Sequence, residues 1–200
     1  KTQFLEEENK RLKKTINEYV YNSKELVAKV LIDKNSPFLK SIIVNKGSKD
    51  NIKLGMAVLD ETYLVGKIVE VNYSTSRALL VSDLNSKIPV GLEPGNIQSI
   101  LSGTGKQNGK IEYLENDILI EDKSIVYTSG SGGLFKPGIP IGIYNKKDTD
   151  EQMVIFFSKL SQLTFVKLIS FEETNNQWAQ NLKILLEIKF FYTYLFYFYL

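Results

Sequence analysis

The sequence predicts a mainly β protein: an N-terminal coiled-coil helix followed by two small antiparallel β-barrel-like subdomains. Three observations carry this reading. A seven-residue apolar repeat covers the first 25 or so residues. From Leu26 onward, short apolar runs alternate with turn signals at strand spacing, with almost no helical period between them. A glycine-dense segment, Thr128 to Gly142, then links two strand-like runs and leaves through Pro137 and Pro140.

The heptad places Leu5, Leu12, Tyr19 and Leu26 at d, and Thr2, Asn9, Ile16, Ser23 and Val30 at a. Three to four heptads are about the minimum for a coiled coil. Asn9 at an a position is the kind of buried polar group that selects parallel register and two strands. Glu8 at g and Lys13 at e face each other with opposite sign across a parallel dimer. Leu5, Asn9, Leu12, Ile16 and Tyr19 are therefore the expected dimer interface. The repeat weakens at Ser23. At ~1.5 Å per residue the helix is only ~40 Å long, marginal as an isolated dimer. A lone amphipathic helix packed on its own domain is the competing account.

The expected strands are Leu26–Ile32, Ser41–Val44, Met56–Leu59, Tyr63–Val71, Ala78–Val81, Ile88–Leu92, Ile97–Leu101, Lys110–Leu114, Asp117–Ile120, Ser124–Thr128, Ile139–Tyr144, Gln152–Phe157 and Leu163–Phe171. So many short strands suit two small barrels or sandwiches better than one large sheet. The prolines lie near run ends or at a loop exit, where a missing N–H is tolerated. The expected division is 1–25 as dimerising helix, 26–172 as the β region of two subdomains, and 173–200 as a tail.

Composition narrows the chemistry. Of the 200 residues, 43% are hydrophobic and 24% charged, as in a protein with a true core. There is no cysteine, hence no disulfide, thiolate nucleophile or Cys-based metal site. There is no histidine, so a Ser-His-Asp triad cannot form and the usual base near neutral pH is missing. The net charge is only +2, Arg11 and Arg77 are the only arginines, and no lysine cluster stands out, which argues against nucleic-acid binding. No cofactor or metal site is expected.

The chain begins at Lys1 and reads as a fragment or processed product, with no spanning helix at its start. Residues 184–200 are apolar and rich in Phe and Tyr, interrupted by Glu187 and Lys189. An interfacial anchor, the start of a membrane span and a non-native terminus are the readings open to this tail. The last is favoured, because nothing before it prepares for such a segment.

The Thr128–Gly142 loop invites a catalytic interpretation. Ser129 and Ser131 flanked by glycine resemble the nucleophile of trypsin-like proteases, which also use two β-barrels. That serine needs an imidazole, and this chain has none. A phosphate cradle needs Gly-Lys-Ser/Thr opening a helix, whereas Lys136 precedes Pro137 and Gly138. A structural loop explains the residues better: glycine permits positive φ and close backbone approach, and proline pins the exit. Glu112, Glu115 and Asp117, and Glu121 with Asp122, read as a solvated charged face.

Taken in order, these segments resemble the rod shape-determining protein MreC family, from the helix to about Phe171. Leu5-Glu6-Glu7-Glu8-Asn9-Lys10-Arg11-Leu12 is similar to the family's coiled coil, and Ala28-Lys29-Val30-Leu31 to its first strand. Asn45 to Val58 resembles a family segment containing Gly47 and Gly55, with Asn51 in place of a usual glycine. Leu64-Val65-Gly66-Lys67-Ile68 matches the strand that follows. Thr128, Ser129, Gly130, Gly132, Gly133, Pro137, Gly138, Pro140 and Gly142 follow the family's loop motif, with Phe135-Lys136-Pro137 one residue longer or shifted in that stretch. The aromatic tail has no counterpart. The resemblance implies a non-enzymatic, inner-membrane-anchored protein whose bulk lies in the periplasm, with a span upstream of this sequence. It also implies two barrels of trypsin-like architecture without protease activity, and a dimeric scaffold for cell elongation and peptidoglycan synthesis. Its implied partners are itself, as dimer or filament, MreD and a peptidoglycan transpeptidase. A periplasmic adaptor of an export system is the alternative, but it requires a helical hairpin between β segments. A hydrolase using Ser129 or Ser131 with a lysine ranks last.

Overall fold

The computed structural model describes residues 25–31, 40–95, 97–113, 120–146 and 152–170. The predicted coiled coil, with Leu5, Asn9, Leu12, Ile16 and Tyr19, lies outside these residues, as does the tail.

Twelve strands are present among the described residues: β1 (Glu25–Leu31), β2 (Ser41–Val44), β3 (Ala57–Asp60), β4 (Tyr63–Val71), β5 (Ser76–Leu80), β6 (Lys87–Glu93), β7 (Ile97–Gly103), β8 (Asn108–Glu112), β9 (Ile125–Thr128), β10 (Pro140–Lys146), β11 (Gln152–Phe156) and β12 (Phe165–Ile169). They close into two six-stranded barrels, in the orders β1-β12-β3-β4-β5-β2 and β10-β11-β8-β7-β6-β9. Every pairing is antiparallel.

The first barrel is discontinuous in sequence. Its sixth strand is β12, which pairs β1 from Glu25↔Ile169 to Lys29↔Phe165 and β3 from Lys167↔Leu59 to Ile169↔Ala57. The whole second barrel is inserted between β5 and β12. The chain therefore crosses between barrels twice, outward through 81–86 and back through 157–164.

Period-2 alternation explains why these segments are strands. In β5 the pattern Ser76, Ala78, Leu80 is buried while Arg77 and Leu79 are half-exposed, and in β8 Gly109 and Ile111 are buried. Fully buried Val44, Val58, Leu64, Ile68, Leu168 and Val65 pack the first barrel, and Val90, Leu92, Leu101, Ile111, Val126 and Val154 the second. Register shifts at Val58/Leu59 and Ile68/Glu70 bend the strands around the first barrel.

One expectation needs correction, and a second falls mostly outside the described residues. The predicted strand Lys110–Leu114 is displaced to Asn108–Glu112, so Glu112 lies at the end of the strand and not at its middle. For Asp117–Ile120, residues 117–119 lie outside the described region, and Ile120 is buried but in no strand. It fills apolar space without joining a ladder, a distinction an apolar run does not make.

Candidate functional site

The loop from Thr128 to Gly142 joins β9 to β10 across the barrel they help close. Thr128 is its anchor and is fully buried. Its N–H donates to the Ile139 carbonyl at 2.9 Å, and its carbonyl accepts Gly138 N–H at 2.8 Å. Its hydroxyl donates to the Lys136 carbonyl at 2.5 Å and accepts Ile139 N–H at 3.0 Å. One residue thus ties both limbs of the loop through four bonds. The carbonyl of Lys136, where the chain departs from the family motif, is taken up by this hydroxyl.

Ser129 N–H donates to the Pro89 carbonyl of β6 at 3.1 Å, and Ser129 Oγ accepts Ser131 N–H at 3.2 Å. A short 3₁₀ turn follows over Ser131–Gly133. Gly130, Gly132, Gly133 and Gly138 all have positive φ, at 80°, 72°, 65° and 87°. A Cβ at Gly130 would also crowd the Pro137 ring, at 3.0 Å. Phe135 is buried beneath the loop while Leu134 is exposed. Burial pushes the Lys136 ammonium below its ordinary value. Ser129 Oγ is engaged locally, and the chain contains no histidine to draw its proton.

The other glycines singled out by sequence sit elsewhere. Gly47 lies against the β4–β5 turn, where a Cβ would be 2.4 Å from the Asn72 carbonyl oxygen. Gly66, in β4, would place a Cβ 2.3 Å from the Leu79 carbonyl oxygen. Gly55 has open space but φ +83°. Asn51, standing in for glycine, has φ 63° and closes the 3₁₀ turn over Ser48–Asp50. Asparagine is among the few non-glycine residues that adopt this region readily. The structure thus places these residues in the first barrel, apart from the Thr128–Gly142 loop in the second.

Two surface features escaped the sequence reading. Ile125, Ile143 and Ile155 are directly in register across β9, β10 and β11, and Ile125 and Ile155 are 47% and 51% exposed. Paired residues share a sheet face, so three isoleucines form an outward row on the second barrel. Their alternation with buried Val126, Tyr144 and Val154 was the available signal. The second is Glu112. It accepts Lys87 Nζ at 2.6 Å and Ser102 Oγ at 2.7 Å, and those bonds hold its carboxyl below the ordinary carboxylate value and raise Lys87. Among the described residues no group of carboxylates is placed to hold a metal ion.

Two closed antiparallel barrels, one inserted into the other, with a glycine loop folded onto its own backbone, define a double-barrel module. The chain belongs to the rod shape-determining protein MreC family, whose barrel-core model matches residues 30–170. The cell shape-determining protein MreC of Caulobacter vibrioides is 34% identical over 73% of this chain and 42% of its own length. The crystal structure of MreC from Pseudomonas aeruginosa superposes with a TM-score of 0.67 at 28% identity, over 74% of this chain and 99% of that one. MreC of Helicobacter pylori, in its complex with penicillin-binding protein PBP2, shares the fold with a TM-score of 0.57 at 13% identity, over 75% of this chain and all (100%) of that one. The chain spans about half the length of the first curated relatives it matches, at 42%, 48% and 51%.

Proposed function

We propose that this chain is a non-catalytic scaffold of the bacterial cell-elongation machinery, acting in cell shape by holding peptidoglycan-synthesising partners in place. Membership of a cell shape-determining family supports this, and one structural observation carries it. The loop that most resembles a catalytic site is consumed in bonds to its own backbone: Thr128 spends its hydroxyl on Lys136 and Ile139, and Ser129 Oγ on Ser131. On this reading the loop serves to position strands.

Residues 1–25 pair two copies through Leu5, Asn9, Leu12, Ile16 and Tyr19, and residues 26–172 carry the partner-binding surfaces. The outward row of Ile125, Ile143 and Ile155 is suited to an apolar contact, since exposed aliphatic rows on a soluble face mark interaction sites. The Helicobacter pylori relative is found with a penicillin-binding protein, and a transpeptidase is the partner we assign here, together with MreD and further copies of this chain. An upstream span would hold the barrels at the periplasmic face of the inner membrane. The export-adaptor alternative needs a helical hairpin between strands.

The test has two arms. Sedimentation of a form with the upstream helix restored should show concentration-dependent dimers, and Asn9→Leu should shift them toward other oligomers. Photocrosslinkers at Ile125 and Ile155 in intact envelopes should capture a peptidoglycan transpeptidase. A strict monomer at high concentration, with no capture, sinks the proposal.

A further inference from the structure

We infer that the β7–β8 turn of the second barrel, Thr104 to Gln107, together with Asp83, is a clamp that grips both inter-barrel crossings and fixes how the barrels are set against each other.

The outward crossing, 81–86, is held from both sides. Asp83 is 1% exposed. Its Oδ2 accepts Lys40 N–H, at the entry to β2 of the first barrel, at 2.8 Å. Its Oδ1 accepts Asn85 N–H at 2.8 Å and Asn85 Nδ2 at 3.0 Å. From the other side, Gly105 N–H donates to the Ser82 carbonyl at 2.8 Å, and Gly103 N–H to the Ser86 carbonyl at 3.1 Å. The fit is close: a Cβ at Gly103 would be 2.0 Å from the Asp83 carbonyl oxygen. The return crossing, 157–164, is gripped by the same turn, since Gln107 Oε1 accepts Leu160 N–H at 3.3 Å. Beside it the Phe157 ring lies tilted against Tyr63 of β4, with centroids 4.8 Å apart and planes at 32°.

Two independent crossings leave one soft rotation, about the line through them. A single rigid hairpin bonded to both removes it. The Gly103 and Gly105 amides hold the outward crossing to the second barrel, Asp83 carries the grip to the first barrel through a carboxylate that accepts donors on both its oxygens, and Gln107 carries it to the return crossing. The consequence is mechanical: a partner lying across both barrels meets one preset surface. The inference stands whatever the barrels bind.

The absence of cysteine makes the test direct. Lys29→Cys on β1 and Lys110→Cys on β8, both exposed positions, carry spin labels on the full chain. Pulsed dipolar spectroscopy then reads the inter-barrel distance distribution. Asp83→Asn turns one acceptor into a donor facing backbone N–H groups, and Gln107→Ala removes the bond to Leu160. The double variant should broaden the distribution at least two-fold while circular dichroism and the thermal transition still report folded barrels. An unchanged width in a folded double variant overturns the inference. Should Asp83→Asn prevent folding, Gln107→Ala alone, which trims an exposed side chain, decides by the same criterion: broadening supports the clamp and an unchanged width overturns it.

Discussion

Replacing Thr128 by valine tests the wiring of the loop with almost no change in shape. The hydroxyl becomes a methyl of similar size, so packing within the second barrel is preserved. Two backbone groups lose their partner: the Lys136 carbonyl and the Ile139 N–H. A buried group left unsatisfied costs about 1–3 kcal/mol. Ile139 is half-buried, which lets water compensate in part. The sum is therefore placed at about 2–4 kcal/mol. For a chain of this size that corresponds to a fall in Tm of roughly 5–15 °C. Thr128→Ser keeps the hydroxyl and loses one methyl, at about 1 kcal/mol. Urea unfolding of the three proteins measures both values. If Thr128→Val loses less than about 0.5 kcal/mol, or Thr128→Ser is no better than Thr128→Val, the hydroxyl does not hold the loop and the reasoning fails.

Gly66→Ala should cost about 1–3 kcal/mol or more, because its new methyl meets the Leu79 carbonyl oxygen, whereas Gly132→Ala, with φ 72° and open space, should cost about 1 kcal/mol. Equal denaturation midpoints for the two would show that close approach is not what β4 requires. At Asn51, glycine should be tolerated within about 0.5 kcal/mol and alanine should lose about 1 kcal/mol, since φ is 63°; calorimetry separates them. Glu112 titrates below its ordinary 4.5 because Lys87 and Ser102 donate to it. Its contribution to stability is therefore complete above that value and disappears as pH falls through the lowered one. Lys87, raised above 10.5 chiefly by the same bond, loses its share as pH climbs past its raised value. Glu112→Gln should flatten the urea midpoint between about pH 6 and about pH 3, and an unaltered slope there would show that the pair is solvated equally in both states.

The readable parts of this protein are those where one residue meets one local constraint. Asn51 stood out in a usual glycine position, and the structure gives it the left-handed backbone that few other side chains tolerate. Thr128-Ser129-Gly130 followed by Gly132-Gly133 and two prolines announced a loop, and the missing histidine argued against a protease reading of it. Ile125, Ile143 and Ile155 were present in plain view, but their alignment depends on which strands are neighbours. The strand that carries Glu112 was placed two residues late, because an apolar run does not mark its own ends; it starts at Asn108.

The chain by itself determined that residues beyond Leu26 form short strands, that a glycine loop interrupts them, and which chemistries its side chains cannot perform. These follow from side-chain period, φ preference and functional-group inventory, all local properties. Only the tertiary structure decided that β12 returns to close the first barrel, that the second is inserted within it, and that the β7–β8 turn bonds both crossings. Antiparallel pairing between residues 25–29 and 165–169 is written in hydrogen-bond partners far apart along the chain. A period of two says which face of a strand is buried, but not which strand lies beside it.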